Sequence, residues 1–103
     1  MAMTVCGEFL GGNFVLYISG EMDESNVRAA AAEFDRGIEK SPSAVVLDLS
    51  ALTFIDSTGV GMILSRYGRL KSAGIPLYAR GLRAQTEKVF RMSGLLGIIG
   101  IVG

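Results

Sequence analysis

A chain of 103 residues, half of them apolar and with no formal net charge, is sized for one domain with a core of its own. It contains no histidine and one cysteine, Cys6. That excludes Ser-His-Asp and Cys-His nucleophiles, the common zinc and non-haem iron ligand sets, and any intramolecular disulfide framework. The charge is unevenly spread, residues 1–56 summing to −6 and residues 57–103 to +6. The basic residues fall on two predicted helices and a strand end, with no aromatics between them. This pattern describes a solvated face better than a nucleic-acid surface. The lone cysteine fits a reducing compartment, and Met1-Ala2-Met3-Thr4 shows no basic region ahead of an apolar segment. The longest apolar tract, Leu95 to Val102, is broken by glycines and too short to span a bilayer. The expectation is a cytoplasmic domain that does not bind membranes.

In chain order, residues 4–10 and 14–19 are β-prone runs joined at Gly11-Gly12-Asn13, the composition of a hairpin. Gly20 is expected to end the second strand, with Glu21-Met22-Asp23 as a loop. Glu24-Ser25-Asn26 then opens a helix whose apolar stripe is Val27, Ala30, Ala31, Phe34 and Ile38. Ser41-Pro42-Ser43 stops it. Ala44 to Leu49 is nearly all apolar, which predicts a central parallel strand covered on both faces. The longest helical pattern follows and runs to about Ser72. Val60, Ile63, Leu64, Tyr67 and Leu70 face the core, and Ala73-Gly74 with Pro76 closes the pattern. Ile75 to Ala79 is a fourth strand. A third helix runs from Arg83 or Ala84 to Met92, burying Val89, Phe90 and Met92 and ending at Gly94. Ile98 to Val102 is the last strand. The order β-β-α-β-α-β-α-β defines a single α/β domain with a mixed, mostly parallel sheet built from right-handed crossovers.

The chemistry-bearing stretch is Phe54-Ile55-Asp56-Ser57-Thr58-Gly59-Val60-Gly61, between the central strand and the long helix. A hydroxyl at a helix N-terminus is first a cap. The free N–H groups and the helix dipole there also suit a phosphate. Residue chemistry alone leaves both roles open for Ser57 and Thr58, with Asp56 pairing backbone N–H groups at the turn. Other readings fail on spacing. The third glycine of a dinucleotide fingerprint falls on Leu64, and the expected acid about twenty positions later falls near Arg80. No Walker loop exists, and the Asp-Ser-Thr-Gly run has an extra residue and no second copy for a protease dyad. Asp23 and Glu21 have an ordinary reading as acids near a helix start.

The run Val45-Val46-Leu47-Asp48-Leu49-Ser50-x-Leu52-x-Phe54-Ile55-Asp56-Ser57-Thr58-Gly59-Val60-Gly61 resembles the signature of the STAS domain, the fold of bacterial anti-sigma-factor antagonists. Gly20-Glu21-Met22-Asp23 is similar to that family's Gly-Glu-apolar-Asp loop, and Val89-Phe90-x-Met92-Ser93-Gly94-Leu95 to its third-helix ending. Ile63-Leu64-x-Arg66-Tyr67 and Met92-Ser93-Gly94 look closest to the sporulation branch, with the general-stress branch a near cousin. The resemblance covers almost the whole chain, 1–103, and implies a regulator that is not an enzyme and needs no cofactor or metal. In that family the hydroxyl residue after the Asp is phosphorylated by an anti-sigma factor that is itself a serine kinase. That position is Ser57 here, with Thr58 as runner-up. The unmodified form binds the anti-sigma factor and frees a sigma factor, and a serine phosphatase restores it. Carried over, Glu21, Asp23, Asp56, Ser57, Thr58, Gly59 and Gly61 form the partner surface, the two glycines keeping the helix start open. The alternative is a STAS-fold nucleotide- or ligand-binding module of a transporter or stress-sensing assembly. The family usually adds a C-terminal helix after the last strand, whereas this sequence stops at Gly103. Poorer cover of Leu95, Leu96, Ile98 and Ile99 is therefore expected, and with it a surface for self-association.

Overall fold

A computed structural model describes residues 2–103. The strands are β1 (Met3–Leu10), β2 (Asn13–Met22), β3 (Val45–Ile55), β4 (Leu77–Arg80) and β5 (Gly100–Val102). The helices are α1 (Val27–Ile38), α2 (Ser57–Ser72) and α3 (Ala84–Ser93), and a short 3₁₀ turn (Leu95–Gly97) precedes β5. The sheet order is β1-β2-β3-β4-β5, antiparallel only between β1 and β2. The α/β reading of the sequence therefore holds element by element.

Because the strand order never reverses, successive right-handed crossovers carry all three helices over the same face of the sheet. The expectation that the central strand is covered on both faces is wrong for this reason. Along β3, Val45, Leu47, Leu49, Leu52 and Ile55 are buried, while Val46 and Asp48 are half-buried and Ser50 is exposed. The bare face is lined with polar contacts. Arg80 donates from Nε to Asp48 Oδ2 at 2.8 Å, and the Tyr17 hydroxyl donates to Glu8 Oε2 at 3.1 Å. Under the helices, Phe14, Phe34 and Phe90 are fully buried with the aliphatic residues of β2, β3 and α2. The Phe14 ring fills the space left by two glycines: a Cβ on Gly37 would lie 2.2 Å from it, and one on Gly7 2.3 Å.

Two strands run further than local sequence suggests. β2 continues through Gly20 to Met22, and β3 continues to Ile55, because the two pair in parallel as far as Met22 opposite Ile55. Gly20 adopts φ +87° at a register shift, so it kinks the strand without ending it. Two side chains assigned to the core also lie outside it: Leu64 is 40% exposed and Met92 78% exposed, whereas Met62 is buried. Leu95 and Ile99 are buried, contrary to the poorer cover expected for them; Ile98 is exposed and Leu96 half-buried. The ends of α2 and α3 fall where predicted, at Gly74 and Gly94, both with positive φ.

Candidate functional site

The site lies where β2 and β3 end side by side. Parallel pairing sends both chains out at the same edge, the usual place for sites in open α/β sheets. The two exits are stitched together: the Asp56 N–H donates to Met22 O at 3.3 Å. The first turn, Asp23 to Asn26, is held from within. Asp23 Oδ1 accepts from the Ser25 N–H at 2.9 Å and the Ser25 hydroxyl at 2.5 Å. Asn26 accepts from the Asp23 N–H and donates to Glu21 O. The Ser25 hydroxyl holds the Asp23 carboxyl below its ordinary value, and the nearby Asp56 charge opposes this. Thus the pairing of β2 with β3 brings Asp23 and Asp56, 33 positions apart in the sequence, to the same end of the sheet.

The cap of α2 is Asp56. Its Oδ1 accepts from the Thr58 N–H at 3.0 Å, the Gly59 N–H at 3.2 Å and the Thr58 hydroxyl at 2.5 Å. These bonds, the Thr58 hydroxyl first among them, keep its carboxyl below the usual range against the opposing pull of burial. Ser57, which local chemistry allowed as the cap, is instead the first helical residue. It is exposed, and among the described residues its hydroxyl has no hydrogen-bond partner. The two candidate acceptors are thereby distinguished: Thr58 spends its hydroxyl on Asp56, and Ser57 does not.

The two glycines of the turn differ. Gly59 is buried, and a Cβ there would stand 2.7 Å from Ile55 Cγ1 and 3.1 Å from Met22 Cε, so it is required for α2 to close onto the sheet. Gly61 is exposed with open space around it, one helical turn beyond Ser57. Glu21 lies back in β2 opposite Phe54, flanking the turn without entering it. A groove of about 370 Å³ runs beside Ser57, lined by Ile55, Asp56, Val60, Val89 and Met92. The sequence pattern grouped Met92 with Val89 and Phe90 as buried residues of the third helix. Its exposure on the rim of this groove follows only from the packing of α3.

The mixed five-stranded sheet with its three helices is the fold of the STAS domain, whose family model matches residues 8–102. The chain belongs to that family. Among curated relatives, an anti-sigma F factor antagonist of Paenibacillus polymyxa is 30% identical over 91 residues, spanning 87% of this chain and 78% of that protein. An anti-sigma factor antagonist from Mycobacterium paratuberculosis superposes with a TM-score of 0.85 at 29% identity, covering 97% of this chain and 85% of that one. The Bacillus cell fate determinant SpoIIAA, 24% identical in both its unphosphorylated and its phosphorylated forms, shares the fold with TM-scores of 0.84 and 0.76. The superpositions cover 97% of this chain and 89% and 92% of those chains.

Proposed function

We propose that this protein is an anti-sigma-factor antagonist switched by phosphorylation of Ser57. The observation that carries the reading is the exposed, unengaged Ser57 hydroxyl at the first position of a helix capped by another residue. The relatives that bear the name of anti-sigma factor antagonists support it. An anti-sigma factor with serine kinase activity transfers the γ-phosphoryl group of ATP to Ser57 Oγ, releasing ADP and a proton. A serine phosphatase reverses the modification. The unmodified protein binds that anti-sigma factor through Asp23, Asp56, Ser57, Gly61 and the groove walled by Val89 and Met92, and so frees a sigma factor. The apolar groove suits a protein side chain better than a nucleotide.

At the start of α2 a phosphate is tolerated by the fold, since the helix dipole favours negative charge there by roughly 0.3–1 kcal/mol even with the Thr58 and Gly59 N–H groups already taken by Asp56. Between molecules it is costly, because ≈ −1.5 to −2 charges arrive beside Asp56 and at the mouth of an apolar groove. A hundredfold loss of affinity requires only about 2.8 kcal/mol.

The test is incubation with the cognate anti-sigma kinase and ATP, read by intact mass and a binding titration. Wild type gains one phosphate. Ser57→Ala gains none and still binds, and Ser57→Asp binds poorly. Phosphorylation of Ser57→Ala at the wild-type rate would reassign the site, with Thr58 the next residue to test.

A further inference from the structure

We infer that Gln85, at the start of α3, is a positioning residue for the phosphoacceptor, holding the peptide that carries Ser57 at its height above the sheet. The inference rests on the reading of Ser57 as the modified residue. The geometry behind it is independent of that reading. β3 is paired with β2 along its whole length, but its pairing with β4 stops at Asp48 opposite Arg80. The end of β3 therefore overhangs its neighbour. At the tip, the Asp56 N–H turns toward β2 and bonds Met22 O, so the N–H and C=O of Ile55 point the other way, where no strand lies. Gln85 occupies that place with its side chain. Its Oε1 accepts from the Ile55 N–H at 3.3 Å, and its Nε2 donates to Ile55 O at 3.4 Å. A primary amide is the side-chain group that reproduces a peptide's paired donor and acceptor, so Gln85 stands in for one residue of a missing strand.

The clasp sits two residues before Ser57 and is anchored from behind. α3 is seated by Phe90 and Thr86, both fully buried, and the Thr86 hydroxyl bonds Arg83 O. From the other side Ile55 is packed by Gly59 at the first turn of α2. A shift of the Ile55 peptide thus moves the cap, the first turn and the Ser57 hydroxyl together. Phosphoryl transfer depends steeply on where the attacking oxygen sits. Loss of the clasp is expected to slow transfer to a docked protein more than it weakens docking, because Asp23 and the groove wall of Val89 and Met92 do not hang on the Ile55 peptide.

The experiment measures kcat and KM of the cognate kinase with ATP for wild type, Gln85→Leu, Gln85→Glu and Ala32→Gly. Amide exchange of Ile55 is followed in each. Ala32 is exposed in the middle of α1, and its glycine variant supplies a generally weakened fold. Gln85→Leu is expected to lower kcat about tenfold with KM within about twofold, and to speed Ile55 exchange beyond global opening. Gln85→Glu keeps the acceptor for the Ile55 N–H and falls between the two. Ala32→Gly keeps the wild-type kcat. Wild-type kcat in Gln85→Leu, or an equal loss in Ala32→Gly, overturns the positioning role. A wild type that takes no phosphate on Ser57 overturns the functional reading and the role built on it. In that case, rapid Ile55 exchange in Gln85→Leu still shows the clasp to be real, and unchanged exchange removes it too.

Discussion

Gly59 and Gly61 stand two residues apart, and the fold asks for only one of them. Any side chain at Gly59 collides with Ile55 and Met22, so Gly59→Ala is expected to destabilise the domain by about 1–3 kcal/mol, measured by denaturant unfolding. Gly61 meets nothing, and Gly61→Ala should raise stability by up to about 1 kcal/mol through helix propensity. Under the proposed function the same change places a methyl beside Ser57 and weakens partner binding. Greater stability with lower affinity is the expected signature; unchanged affinity would remove Gly61 from the partner surface. The hydroxyls separate in the same manner. Thr58→Val removes the hydrogen bond to Asp56 at a cost of about 1 kcal/mol while leaving Ser57 available. Intact mass should therefore still show one phosphate.

Among the elements, α1 and α2 are joined by a carboxylate with two arginines. Asp35 receives Arg66 through Nε at 3.0 Å and Nη2 at 2.9 Å, and Arg69 through Nη1 at 2.8 Å. Arg66 chiefly holds the Asp35 carboxyl below its ordinary value, against an opposing push from burial. Asp56 is lowered as well, by its cap bonds. In both cases the folded value lies under the unfolded one. Their contribution is therefore complete above the ordinary carboxylate value of about 3.9 and disappears as pH falls below it through the folded values. Thermal melting should show a fall in Tm beginning near pH 4 that is shallower in Asp35→Asn. That variant should also cost roughly 1–2 kcal/mol at neutral pH, a surface-type ion pair strengthened by its paired hydrogen bonds. A melting curve of Asp35→Asn that follows wild type through the acid range would place the acid sensitivity elsewhere.

Over the whole molecule, the opposed charges of the two halves of the chain meet as structure. Arg66, Arg69 and Arg80 from the basic half pair with Asp35 and Asp48 from the acidic half. The sheet has one face under the helices and one open to water, and Ser57, the proposed switch, is exposed at the end of the sheet where β2 and β3 run out. A phosphate on Ser57 therefore enters solvent and displaces no packed group. The phosphorylated protein is expected to melt within about 5 °C of the unmodified form while losing partner affinity. A much larger drop would show that the switch acts by loosening the fold.

Periodicity and turn chemistry were enough to determine the order of elements, the hairpin at Gly11-Gly12, the ends of α2 and α3 at Gly74 and Gly94, and the acidic, hydroxyl-rich turn that opens α2. These are local properties, written in residues a few positions apart. Tertiary structure decided what depends on distant partners. The extensions of β2 to Met22 and of β3 to Ile55 exist because each strand supplies the other's hydrogen bonds. Leu64 and Met92 are exposed because helices on a single face leave room for fewer buried stripes than the apolar pattern offers. The choice of cap belongs here too. Asp56, Ser57 and Thr58 all carry suitable oxygens, and only the turn's geometry aims the carboxylate at the N–H groups of Thr58 and Gly59 and leaves the Ser57 hydroxyl outside.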